Sequence, residues 1–260
     1  MYERPSGSIF PFVYAVKPDN KRAPRPGIQR DPGALLPLAW ILGDEGYRLD
    51  YAWLNYPEHP YRLEPPTIAE HADLDYSRVG PGDYFLQPTR TPLDDELERA
   101  RKYVPRGGTT LELRIMKFWT QFFEFCGRGS VCLTPDVQRG LLPGFEAYRN
   151  MGFRLNKNSD VIQIASGRPH LAGSVAFFIR TEAMWKGGPG LFSAWGMDAD
   201  ATYTWAWILY DRMRHLTQRR GLYMVALERP ADARFRGDYA AIANDWKAEI
   251  VLEHDFVDEL

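Results

Sequence analysis

Proline spacing is the strongest constraint on what this chain can fold into. Fourteen of its 20 prolines fall within the first 92 residues. A proline lacks the backbone N–H, and its ring clashes with the turn before it. This density therefore predicts extended segments and turns there rather than long helices. Residues 1–90 read as a proline-rich irregular segment packed on the rest, and residues 91–260 as an α+β domain, with one continuous domain as the alternative. The stretch Lys17–Arg30 (KPDNKRAPRPGIQR) reads as an exposed basic arm or linker, and the aromatics over Tyr47–Tyr61 as packed chain.

Helical periodicity begins at Thr91, which caps a helix with Pro92 at its first position and Leu93, Leu97, Ala100 and Val104 on one face. A second helix is predicted from Thr109, capped through Glu112, to Gly127, with Leu111, Ile115, Phe118, Trp119, Phe122 and Cys126 as its apolar stripe. A short helix over Pro143–Met151 follows. Strands are predicted at Val161–Ala165, Ser174–Arg180, Gly190–Trp195, Leu222–Glu228 and Glu249–Phe256. Helices are predicted at Asp198–Leu216 and Asp238–Trp246. The elements lack a regular βαβ repeat, so the fold class is α+β: a mixed C-terminal sheet with interspersed helices, behind a helical segment and the irregular N-terminal part.

Lys plus Arg number 32 against 34 for Asp plus Glu, a net charge of -2, which argues against a chain that coats nucleic acid with its whole surface. The N-terminus MYERPSGSIFPFVYAV has no signal-peptide pattern, and the apolar run Gly33–Gly43 is shorter than the roughly 20 residues a membrane helix needs. The expectation is a soluble protein made in the cytoplasm with no membrane partner; export by a route that reads no cleavable signal stays open. Cys126 and Cys132 are the chain's two cysteines and are expected as buried free thiols, with a small disulfide loop as the alternative.

No GxSxG, GxxxxGK[ST], GxGxxG or HExxH occurs. His71 with Asp73, and Asp198 with Asp200, have the spacing of metal-ligand pairs. Neither pair has a third ligand, so no metal is expected, and the Asp198 pair reads first as helix capping. Arg212, Arg214, His215, Gln218, Arg219 and Arg220 close the long helix near Trp205, Trp207 and Tyr210. The first reading is charge that complements the helix dipole, and a nucleic-acid face is the second. Lys186–Pro189 (KGGP) reads as a tight turn, with a ligand loop as the alternative. In the last strand, period two places Glu249, Val251 and Glu253 on one face and Ile250 and Leu252 on the other.

In order, these pieces are a strand with Phe192-Ser193, a helix with Ala201, a strand Tyr223-Met224-Val225 and a strand with Glu249. The series over about residues 150–260 resembles the C-terminal half of bacterial ADP-ribosyltransferase toxins of the cholera- and pertussis-toxin kind. That resemblance implies NAD as a substrate, Ser193 as the buttress of the nicotinamide pocket and Glu249 as the catalytic carboxylate. It also implies an arginine on the NAD phosphates, for which Arg154 and Arg180 both qualify. The sequence departs from the family at Ser193-Ala194-Trp195, where the family has Ser-Thr-Ser, and at Lys247, where the family has Glu or Gln. The alternative reading, from another class, is a non-catalytic protein–protein interaction protein that uses the proline-rich arm and an aromatic surface. It expects deletion of residues 1–32 to remove a protein partner while the fold stays intact.

Overall fold

The computed structural model describes residues 7–11, 31–49, 80–87, 117–127, 130–149, 151–152, 173–197, 199–228 and 245–256. Its centre is built from three runs, SVAFFI, LFSAW and LYMVAL, that are apolar on both alternating faces. Such runs suit strands covered on both sides. They form β6 (Gly173–Thr181), β7 (Gly190–Gly196) and β8 (Gly221–Glu228). With β1 (Ser8–Pro11), β2 (Arg48–Leu49), β3 (Tyr84–Gln87) and β9 (Lys247–His254) they make one sheet of order β2-β1-β3-β7-β6-β8-β9. The pairs β1–β2, β1–β3 and β3–β7 are parallel. The pairs β7–β6, β6–β8 and β8–β9 are antiparallel. The α+β class and the mixed sheet hold. The N-terminal part, read as irregular, contributes three short strands to this same sheet.

The expectation of no long helix near the N-terminus is corrected. Residues Asp31–Asp44 form the 14-residue helix α1, with Pro37 inside it. Pro32 sits in the first turn, where a missing N–H costs nothing. Pro37 removes one internal hydrogen bond. Burial of Ala34, Leu38, Ile41 and Leu42 against the sheet offsets that loss. The apolar run Gly33–Gly43 is the body of this helix. Among the described residues no helix is long and apolar enough to cross a membrane.

The predicted helix from Thr109 to Gly127 is also corrected. Residues 117–119 are helical, the chain turns at Gln121 and Phe122, and Phe123–Gly127 is strand β4, paired antiparallel with β5 (Ser130–Leu133). The run Phe122-Phe123-Glu124-Phe125 has high strand propensity, and pairing with β5 decides against the helical period. Cys132 is buried and disulfide-bonded, which corrects the expectation of free thiols. Beyond β5 lie the one-turn helix α2 (Pro135–Gln138) and a 3-10 turn at Glu146–Tyr148, inside the span predicted as helix over Pro143–Met151. The predicted helix at Thr91 and strand at Val161–Ala165 lie outside the described residues, as does nearly all of the helix at Asp238–Trp246.

The sheet is covered on both faces. On one face lie α1 and α3 (Ala199–Asp211), burying Trp205, Ile208 and Leu209 against Phe178, Phe192 and Tyr223. The predicted helix at Asp198–Leu216 breaks after Asp211 and resumes as the one-turn α4 (Arg214–Thr217). On the other face the β4–β5 hairpin and the 3-10 turn bring Trp119, Phe123, Leu133 and Tyr148 onto Phe177, Trp195 and Met224. Phe177 and Trp195 stack with ring centroids 4.4 Å apart.

Candidate functional site

Ser193 lies on β7 between Ile179 of β6 and Gln87 of β3. It is fully buried, and its Oγ has no hydrogen-bond partner. With Leu191 and Trp195 it follows the period-two strip facing the hairpin side.

Glu249 lies on β9, the last strand of the sheet, opposite Ala226, and is exposed. Burial, and secondarily the Glu249 charge, raise the Tyr148 hydroxyl above its ordinary range. Two strands separate β7 from β9. The row through Ser193 crosses Ile179 and Leu222 and meets β9 at His254; the row through Glu249 crosses β6 at Val175. Three strand spacings and four residues along the strand place Ser193 and Glu249 about 19 Å apart.

The alternation read for β9 also breaks. Met224 faces Leu252 while Val225 faces Ile250, so a bulge at Val251 puts Val251 and Leu252 into the same apolar cluster.

Arg180 closes β6 toward the helices. Its Nη1 and Nη2 donate to Glu45 Oε1 and Oε2 at 2.9 and 2.7 Å, and Nη1 also donates to the Thr217 carbonyl. Tyr84 and Phe192 lie under its guanidinium, 5.5 and 5.8 Å from their ring centroids. Burial alone would lower its pKa; the bonds and charge of Glu45 outweigh that and hold it above its ordinary value. Beside it the Tyr47 hydroxyl is pushed up to about 12, chiefly by burial and then by Tyr84. Arg180 therefore ties the end of α1 to the sheet. Arg154, Asp198, His71 and Asp73 lie outside the described residues. Glu249 is not brought to Ser193; Arg180, next to the Ile179 that faces Ser193, turns its guanidinium to the opposite face of the sheet, over Tyr84 and Phe192.

The arginine run after α3 is engaged residue by residue. Arg212 donates to the Trp246 carbonyl (2.8 Å), Arg214 to Asp44 (2.7 Å) and Arg219 to both oxygens of Glu253 (3.3 and 3.0 Å). Arg220 pairs with Glu182. These charges hold elements together, and Trp205 is buried with its Nε1–H on the Phe177 carbonyl. The KGGP segment is a tight turn: Gly187 has φ +72, and a Cβ on Gly188 would lie 2.4 Å from the Trp185 ring. Among the described residues no group of three His, Cys, Asp or Glu is placed to hold a metal.

What remains unexplained by packing lies on the outer side of the helical layer. Leu36 and Trp40, one turn apart on α1, are 48% and 43% exposed. Trp40 meets Trp207 edge-on at 5.9 Å and Tyr210 at 5.6 Å, and Trp207 meets Tyr210 at 6.0 Å. The Arg214 guanidinium sits 5.6 Å from the Tyr210 ring centroid and joins α4 to α1 through Asp44. Proline spacing hid this surface from sequence reasoning, which placed no helix at Asp31–Asp44. The leucine and tryptophan at i and i+4 in LLPLAW were the available signal. Comparison with known proteins finds no match: no family model, no curated protein and no solved structure is similar to the chain.

Proposed function

We propose that this chain is a non-catalytic protein–protein interaction protein that docks through the aromatic face of α1 and α3. The observation that carries the reading is the paired exposure of Leu36 and Trp40 on a rigid helix, backed by the Trp207 and Tyr210 rings. A large aromatic held on a folded surface contributes contact area at little further entropy cost, and tryptophan and tyrosine recur at the energetic centres of interfaces. The proline-rich arm at Lys17–Arg30 lies outside the described residues.

The test is the double variant Leu36→Lys, Trp40→Glu. Both side chains are about half exposed, so circular dichroism should stay close to wild type, while loss of the Trp40 ring contacts with Trp207 and Tyr210 should lower the melting temperature only modestly. Binding of a partner captured by the wild-type protein, or self-association in sedimentation, should fall at least tenfold, as loss of a hot-spot residue implies. Equal binding by both proteins defeats the reading. Nicotinamide release from NAD is the parallel assay for the rival enzyme reading. No release above buffer is expected, and release that Glu249→Gln abolishes would overturn the proposal in favour of an ADP-ribosyltransferase.

A further inference from the structure

An open sheet leaves backbone N–H and C=O groups unpaired at its two edges. Here one edge is β2, with two residues, and the other is β9, with eight. The second half of β9 is closed from outside: the Leu142 N–H donates to the Val251 carbonyl at 3.0 Å, and the Glu253 N–H to the Gly140 carbonyl at 2.9 Å. Among the described residues no hydrogen bond reaches the outer edge of Lys247–Ile250. Lys247 and Glu249 are exposed on this open segment, while Ala248 and Ile250 are half-buried against the helical side. The Lys247 ammonium lies 3.2 Å from the Glu228 carboxylate of β8, its neighbour in the ladder.

Charges on an edge deter most strands from pairing with it, so a partner must match them position by position. A second copy does so in one register. Residues paired across two antiparallel strands lie on the same face, so a two-fold axis between identical strands must fall on a residue. Centred on Lys247, it sets two lysines opposite each other; centred on Glu249, two glutamates. Centred on Ile250, it needs the edge of Val251, which Leu142 already occupies. Centred on Ala248, it sets Lys247 of each copy opposite Glu249 of the other, with the small Ala248 facing its own counterpart between them. Both ion pairs are then of opposite sign, and each Lys247 lies between Glu228 of its own chain and Glu249 of the second.

We propose that the chain forms a two-fold dimer by pairing Lys247–Glu249 of β9 with the same segment of a second copy, antiparallel about Ala248, so that the two sheets continue into one. The contact is short, so the dimer is weak and concentration-dependent. It is also separate from the aromatic face, since α1 packs at the opposite end of the sheet, on β1, β2 and β3.

The experiment is sedimentation velocity of the whole chain at rising concentration. It is run on the Leu36→Lys, Trp40→Glu protein, so that association through the aromatic face does not contribute. That protein should still pass from monomer to dimer. Lys247→Glu and Glu249→Lys each place like charges in both cross-strand pairs, and each should weaken the dimer at least tenfold. The double change Lys247→Glu, Glu249→Lys restores opposite charges and should restore the dimer, and an equimolar mixture of the two single variants should form a mixed one. Circular dichroism checks the fold of each. If Lys247→Glu does not fold, hydrogen exchange carries the test: amides over 245–252 should slow as concentration rises, and should not do so in Glu249→Lys. A monomer at every concentration, an undiminished dimer in Glu249→Lys, or a folded double variant that stays monomeric would each overturn the proposal. A β9 dimer that persists while partner binding is unaffected by the Leu36 and Trp40 changes defeats the aromatic face alone.

Discussion

Arg180 shows how far a single residue's role depends on partners distant in sequence. The family resemblance offers Arg180, in FFIRTE, as one of two candidates for the NAD phosphates, yet its guanidinium is shared between Glu45, 135 positions earlier, and the Thr217 carbonyl. No local pattern announces that pairing. The side chains are 12% and 23% exposed, so each charge depends on the other. Glu45→Gln leaves a mostly buried guanidinium half-matched and should destabilise the fold by about 3 kcal/mol in urea titration, whereas a paired apolar replacement of both residues should recover much of that loss. A loss under about 0.5 kcal/mol for Glu45→Gln would show a surface-type pair instead. His254 makes a second prediction at this scale. Burial lowers its pKa below the ordinary 6.5, with Asp255 opposing and Arg139 reinforcing the shift. The unfolded chain then binds the proton more readily, so this contribution to stability is present above pH 6.5 and lost as pH falls. Unfolding midpoints measured from pH 7.5 to 5 should decline less steeply in His254→Gln than in wild type.

At the scale of elements, the legible parts were those whose burial is symmetric. β6, β7 and β8 are apolar on both faces, so their identity did not depend on knowing which side the core lay. Phe123–Gly127 is ambiguous in sequence because an aromatic stripe satisfies helical and strand periods alike, and only its pairing with β5 chooses between them. Ala201 belongs to the series that resembles the toxin family, and its place has a packing cause. A Cβ on Gly196 would lie 2.5 Å from the Ala201 Cβ and 2.7 Å from backbone atoms of Ala201 and Thr202. Two small residues thus let α3 begin directly against the end of β7, where the Gly196 N–H donates to Thr202 Oγ1 at 2.9 Å. Gly196→Ala should force the helix start away from the strand and cost about 2 kcal/mol by thermal denaturation, in the range of other overpacked cores. A neutral result would mean that the α3 N-terminus shifts freely.

At the scale of the molecule, the sheet joins two halves of different pairing, and the seam between them decides how the chain can be cut. β7 takes β3 as its parallel neighbour and β6 as its antiparallel one; β3 in turn pairs with β1, and β1 with β2. The strand Ser8–Pro11 is therefore interior, although it lies near the start of the chain. Ile9 is buried, and the Ser8 N–H is held by Asp83 Oδ1 at 2.8 Å. This position argues against the expectation that residues 1–32 can be removed with the fold intact. Deleting residues 1–11 separates β2 from β3 and strips the apolar cover from Leu38 and Tyr84. Since β1 carries ladder bonds on both edges, the loss should reach about 3–5 kcal/mol, the scale of a large core truncation. The deletion should lower the melting temperature by more than about 5 °C, a shift that a 1 kcal/mol loss would not reach in a chain of this length. A deletion protein that melts within a degree of wild type would show that β3 and β7 hold the parallel half without β1. The point substitutions at Leu36 and Trp40 leave this seam whole, so a binding defect in them reports on the docking face rather than on the sheet.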